Sequence, residues 1–159
     1  MAIDPMAIPT GDLMFLLHDV ARLLRVEADK RARRNGMTRA QWVMLIWLER
    51  RPGLSQKELS ELLEVEPITV ARLVDRLEAR GMVERRADPD DRRIWRLHLR
   101  PAALPVLAEI EQHRDEMVAL VSAGLAPDAI AGMTEGLARM KQTLCAELRA
   151  RAREVQEVA

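Results

Sequence analysis

From Leu13 the apolar residues Leu13, Leu16, Leu17, Val20 and Leu24 recur at helical spacing, leaving His18, Arg22, Arg25 and Asp29 on another side. The spacing predicts a long first helix that stops near Asn35 and Gly36. Thr38 and Gln41 then make a capping box, in which each side chain answers a backbone amide that a helix start leaves unpaired. Trp42, Leu45, Ile46 and Trp47 make the helix that follows strongly apolar, and Pro52 with Gly53 ends it. Ser55 with Glu58 repeats the box and opens a short helix from Gln56 to about Leu63, with Leu59, Leu62 and Leu63 inward.

The pattern then changes its purpose. Pro67 suits a first helical position, and Gly81 suits a C-terminal cap. Over the helix from Pro67 to Arg80, Val70, Leu73, Val74 and Leu77 fall on one side at about 100° per residue. Thr69, Arg72 and Arg76 fall on the other side, with Arg80 next to them. One side packs; the other is left to read something. That arrangement suits a helix lying in a major groove, where Arg donates to a guanine edge and Thr meets a base edge or a phosphate. A solvated basic face on an ordinary surface helix would show the same pattern.

Beyond Gly81, Met82 to Ala87 and Ile94 to Leu99 read as paired strands joined by Asp88, Pro89, Asp90, Asp91, Arg92 and Arg93. Trp95, Leu97 and Leu99 alternate with Ile94, Arg96 and His98, as in a half-buried strand. A surface turn needs Asp and Pro to bend, but it does not need two adjacent Arg at its far end. A protruding Arg suits a narrow minor groove with its enhanced negative potential. After Pro101 the helical period returns. Leu104, Leu107, Ile110, Met117, Leu120 and Val121 mark one helix, broken at Gly124. Pro127 opens another, in which Ile130, Met133, Leu137, Met140, Leu144 and Leu148 recur at spacings of three and four. Such stripes must be buried, and a second copy of the chain, joined as a twofold dimer, is the expected cover.

The expected architecture is therefore mainly α with a small β wing, a winged helix-turn-helix plus a helical dimerisation region. Residues 1–11 are expected as a flexible leader, 12–37 as an N-terminal helix contributing to dimerisation, 38–100 as the winged helix-turn-helix, and 101–159 as C-terminal dimerisation helices.

Charge alone gives no sign of nucleic acid: the 159 residues carry 25 Lys plus Arg against 25 Asp plus Glu. Even residues 55–100 hold ten basic and ten acidic side chains. The case for DNA rests on where the charges lie, because phosphate contacts need a basic face rather than a basic protein. Cys145 stands alone, which excludes an intramolecular disulfide framework and fits a reducing cytoplasm. No run approaches the roughly 18 to 20 apolar residues of a membrane span, and no signal-peptide pattern is evident. His18, His98 and His113 are scattered and no glycine-rich phosphate loop follows a strand, so no enzyme, metal or cofactor constellation is expected. The helix start at Ser55, Gln56 and Lys57 suits a phosphate, although plain capping accounts for it as simply.

The order of these elements, with the run TVARLVDRLEARG from Thr69 to Gly81 and the wing DPDDRR closing at Arg93, resembles the MarR family of bacterial transcription regulators. The segments DVARLLR and TRAQWVML look most like its SlyA branch. The resemblance covers nearly the whole chain from Leu13 onward. It implies a cytoplasmic, nucleoid-associated homodimer that binds a palindromic operator in double-stranded DNA, its terminal helices interlocked and two winged lobes at its base. Carried over, Thr69, Val70, Arg72 and Arg76 match recognition-helix positions, and Ser55, Gln56 and Lys57 match phosphate contacts. Arg93 matches a wing-tip Arg inserted in the minor groove and Asp91 the acid that holds it, while Arg92 and Arg86 would support the wing or meet backbone.

Two departures stand out. Ala71 replaces a Thr frequent in relatives, which removes one polar contact, and Leu99 to Pro101 alters the start of the following helix. The family also implies an effector, a small aromatic carboxylate or phenol that lowers DNA affinity. The matching positions are Arg22, Thr38, Trp42 and Ile46, with His18 one turn from Arg22. Arg22 would pair with a carboxylate and Trp42 would stack on a ring. A core role for Trp42 and a solvated role for Arg22 fit as well, and Ile46 replaces a polar residue of some ligand-binding relatives. Two other readings remain at this point: a redox sensor using Cys145, and a winged-helix protein-interaction module without DNA binding. The position of Cys145 in the last helix, beside Leu144, speaks for a small core residue.

Overall fold

The computed structural model of the chain describes residues 11–158, the side chains of residues 149 and 152–158 excepted. All of the leader expected over residues 1–11 except Gly11 lies outside the described residues. In order, the elements are α1 (Leu13–Arg34), α2 (Arg39–Arg50), α3 (Gln56–Leu63), α4 (Pro67–Ala79), β1 (Val83–Ala87), β2 (Trp95–Leu99), a 3-10 turn (Pro101–Ala103), α5 (Leu104–Val121) and α6 (Pro127–Val158). The described residues divide into two compact units, one ending at Asp115 and the other beginning at Glu116.

Local chemistry sets the helix limits of the first unit. Asp12 caps α1 by accepting from the amides of Met14 and Phe15 at 2.9 and 3.2 Å, a cap that the apolar periodicity did not reveal. Both boxes form in full, Thr38 with Gln41 and Ser55 with Glu58. Two helices end in the same way. Gly36 and Gly81 take left-handed backbones, and the amides of Met37 and Met82 reach back to the carbonyls of Ala32 and Leu77, both at 3.0 Å.

A single core fills this unit. Trp42, Met44, Leu45 and Leu48 of α2 meet Leu59 of α3, and Val70, Leu73, Val74 and Leu77 of α4. Val83 and Leu97 close it from the hairpin, and Leu107 and Ile110 from α5. Burying each such side chain contributes about 1.5–3 kcal/mol, so α3, only eight residues long, is held by its packing and not by its own propensity. β1 and β2 pair antiparallel with Val83 opposite Leu99 and Ala87 opposite Trp95. The chain before α3 adds a short third edge: Leu97 donates to the Leu54 carbonyl at 2.9 Å and Gly53 donates to Leu97 at 3.0 Å.

Alternation along β2 is only partly realised. Leu97 is fully buried and Leu99 is half-buried, but Trp95 is exposed. Its register explains this, because the Ala87–Trp95 pair is the last of the ladder, beyond the edge of the core.

In the second unit the chain turns at Gly124 and α6 begins at Pro127. Met133, Leu137, Met140, Leu144 and Leu148 of α6 are all exposed in the single chain. Cys145 is exposed in the single chain as well, beside Leu144 of that stripe. Among the described residues no helix is long and apolar enough to cross a membrane.

Candidate nucleic-acid interface

Helix α4 separates its two faces as its periodicity predicts, with one correction. Val70 is fully buried in the core and cannot touch a ligand on the outer face, so among the recognition-helix positions it supplies packing only. Thr69, Arg72 and Arg76 are exposed. Arg80, read from the sequence as a neighbour of that face, turns back: its guanidinium donates to the carbonyls of Asn35 and Gly36, both at 3.3 Å. It satisfies the end of α1.

At the start of α3, Ser55 is nearly buried, Gln56 half-buried and Lys57 exposed. Ser55 is occupied by its box: its amide donates to Glu58 at 2.8 Å and its hydroxyl accepts from the Glu58 amide at 3.2 Å. With the Gln56 amide in the orientation that satisfies its surroundings, its oxygen accepts from Arg85 at 3.1 and 3.2 Å. Arg85 in turn pairs with Asp75 at 2.5 Å and with Glu78. One guanidinium of β1 thus brings together the first turn of α3 and the flank of α4.

A second guanidinium, that of Arg96, holds the hairpin. It donates to Asp88 at 2.5 Å, to Glu58 at 2.9 Å and to the Gly53 carbonyl at 3.3 Å. Asp88 also accepts from the amides of Asp90 and Asp91 at 2.8 and 3.1 Å, which folds the turn. These bonds, that from Arg96 first, hold the Asp88 carboxyl below its ordinary pKa. Hydrogen bonds from Ser55 do the same for Glu58, with the charge of Arg96 adding to them. Neither Arg85 nor Arg96 stood out in the sequence. The readable signal was Asp88 itself, an acid opening a turn eight residues before a strand Arg that faces it.

At the tip, Arg93 is 91% exposed, yet its geometry is set. Its guanidinium makes a two-pronged contact with Asp91, Nε to Oδ1 at 3.1 Å and Nη2 to Oδ2 at 3.2 Å, while its amide donates to the same carboxylate at 3.0 Å. The Arg93 side chain and amide keep the Asp91 carboxyl ionised to lower pH than usual. Arg86 bonds Glu84 at 2.7 Å, and Arg92 is exposed.

Eight of the ten cations of residues 55–100 fall into two groups, with Arg80 turned to the end of α1 and Arg93 held by Asp91. Arg85, Arg86, Arg96 and Arg100 face Asp75, Glu78, Glu84, Asp88 and Glu58. Among the described residues, the side chains of Lys57, Arg72, Arg76 and Arg92 have no hydrogen-bond or ion-pair partner. The unpaired cations lie on the first turn of α3, the outer face of α4 and the wing, where a polyanion would gain from them, while the exposed acids Glu61, Glu64 and Glu66 lie on the later turns of α3 and just before α4.

The residues matched to an effector site are less clearly assembled. Trp42 is buried, with its ring edge-on to His113 of α5 at 6.0 Å between centroids and its indole N–H without a partner. Ile46 packs against the core, and Thr38 is spent on its cap. His18 is exposed, and Arg22 pairs with Asp19 of its own helix at 2.6 Å. His113 was not singled out from the sequence, since it lies some 70 residues from Trp42. Among the described residues no group of three or more potential metal ligands occurs.

The model of the MarR family matches residues 35–94. A Thauera aromatica protein named as a transcriptional regulatory protein for the hcr operon is 36% identical over 77 residues, 48% of this chain and 46% of that protein. The match thus spans just under half of that relative's length. Among solved structures, one of MarR is similar at a TM-score of 0.75 and 26% identity, covering 95% of this chain and 99% of the other. One of the regulator SlyA matches at 0.75 and 24%, over 86% and 96%. A DNA complex of Staphylococcus aureus MepR matches at 0.68 and 21%, over 84% and 96%.

Proposed function

We propose that this chain, which the MarR family model matches over residues 35–94 and which is similar to a solved structure of MarR, is a transcriptional regulator of that family and not an enzyme, a ligand-responsive repressor that binds a palindromic operator as a homodimer. The observation that carries the reading is the unpaired charge of Lys57, Arg72, Arg76 and Arg92, joined by an Arg93 that is 91% exposed but oriented by Asp91. Thr69, Arg72 and Arg76 meet base edges in the major groove. Arg93 enters the minor groove, and the α3 start, with Arg86 and Arg92, meets backbone.

Dimerisation uses the ends of the chain, residues 12–37 and 101–159, while residues 38–100 form the reading lobe. In the single chain the α1 residues Leu13, Met14, Phe15, Leu16 and Val20 are exposed, as is the α6 stripe, and such surfaces favour association. Two copies place their reading helices on successive major-groove faces of one duplex. The effector is a small aromatic carboxylate or phenol taken near Trp42, whose buried N–H awaits an acceptor. Arg22, His18, Thr38 and Ile46 are the further positions that the family resemblance assigns to it. The segments DVARLLR and TRAQWVML favour the SlyA-like branch, acting on the nucleoid in the cytoplasm.

Binding to inverted-repeat duplexes across a salt series tests this. Arg93→Ala weakens binding at most sites and lowers the salt slope by about one counterion. Arg72→Ala or Arg76→Ala changes which sequences are preferred, at about 1–3 kcal/mol. Unchanged affinity and slope in all three variants, or a protein that stays a lone subunit, would refute the proposal.

A further inference from the structure

One side chain of α4 has no place in the core and none among the cations. Ile68 is 61% exposed, more than any other large apolar residue between positions 38 and 100. At about 100° per residue it points about 170° away from the mean direction of Val70, Leu73, Val74 and Leu77, which puts it, with Ala79 at the far end, at the outermost position of the helix. Thr69 is its neighbour, and Arg72 lies one turn further along the same side. It also occupies the second residue of α4, and the N-terminal residues of a reading helix are those that reach base edges.

An apolar group there gains nothing from phosphates. The one apolar feature that a base pair shows in the major groove is the C5-methyl of thymine. We propose that Ile68 is a specificity-determining residue that packs on a thymine methyl in each half-site, adjacent to the base met by Arg72. The proposal rests on the DNA-binding reading above and adds to it a base identity. The acids just before Ile68 agree with this placement. Glu64 and Glu66 are exposed, and they offer no cation to a phosphate at this end of the helix.

The test uses duplexes selected by the full-length protein from a randomised pool. Each is resynthesised with deoxyuridine in place of one thymidine at a time, which removes one methyl and no hydrogen bond. The wild-type protein loses about three- to tenfold in affinity at one position per half-site. Ile68→Ala, which circular dichroism will show folded because the side chain is outside the core, binds the two versions within about twofold. Arg72→Ala weakens binding but keeps the methyl dependence.

If the wild type binds selected duplexes and no thymidine is methyl-sensitive, the proposal fails. It fails equally if the sensitive position persists in Ile68→Ala, as expected were this residue docking a protein instead. A wild-type protein that selects no duplex at all overturns the DNA reading itself, and this inference with it.

Discussion

Thr69 and Val70 are adjacent in sequence and opposite in consequence, which gives a sharp test of how α4 is oriented. Val70 is wholly buried among α2, α3 and α4 side chains, whereas Thr69 is exposed. Val70→Ala removes two methyl groups from that core. At about 0.8 kcal/mol each, the transfer term is about 1.6 kcal/mol. A cavity term raises the total to about 2 kcal/mol, because closely packed neighbours relax only in part. With a urea m-value of about 2 kcal/mol/M, the unfolding midpoint falls by about 1 M.

Thr69→Ala should leave the midpoint within the equivalent of about 0.5 kcal/mol, as surface substitutions do. It should weaken operator binding by about two- to tenfold, the worth of one net hydrogen bond. Both variants are measured at one protein concentration, since the midpoint of the proposed dimer would depend on it. Urea titration by circular dichroism gives stability, and fluorescence anisotropy on a labelled operator gives affinity. If Val70→Ala kept its midpoint and lost DNA affinity while Thr69→Ala did the reverse, the assignment of the two faces of α4 would be wrong.

Other expectations concern the turn and the wing. Glu64 is the single non-glycine residue with positive φ among the described residues, at 53°, so Glu64→Gly should raise the urea midpoint by the equivalent of about 0.5 kcal/mol. Asp88→Ala removes the acceptor for the Asp90 and Asp91 amides, and those two amides should exchange with solvent markedly faster by NMR while the α4 amides do not. The carboxyls of Asp88, Asp91 and Glu58 titrate lower in the folded chain than in the unfolded one. Their contribution is therefore complete above the unfolded values near pH 4 and is lost as pH falls through the folded ones. Stability of wild type, followed between about pH 5 and 2, should fall more steeply than that of Asp88→Ala.

Much of this arrangement was legible because it is local. Capping boxes at Thr38 and Ser55, the left-handed cap at Gly81 and the apolar stripe of α4 depend on residues within one or two turns of each other. The wing was legible for the same reason, since Asp88 to Arg93 spans a single turn. What escaped notice acts across distance in the chain. Arg96 joins residues 43 and 38 positions away, at Gly53 and Glu58, and no periodicity records such a meeting. Val70 was misassigned because a matched motif position does not say which way a side chain points, although its own spacing with Leu73 and Leu77 did. Trp95 fails its alternation because a period of two specifies a face but not where the core ends.

The Arg96 contacts carry a mechanical consequence. By gripping the hairpin turn, the first turn of α3 and the loop before it through one planar group, this residue welds into a single stiff part what would otherwise be three independently yielding pieces. Arg96→Ala should therefore loosen all three together, and hydrogen exchange should quicken at the Asp90 and Asp91 amides and at the start of α3 in the same variant.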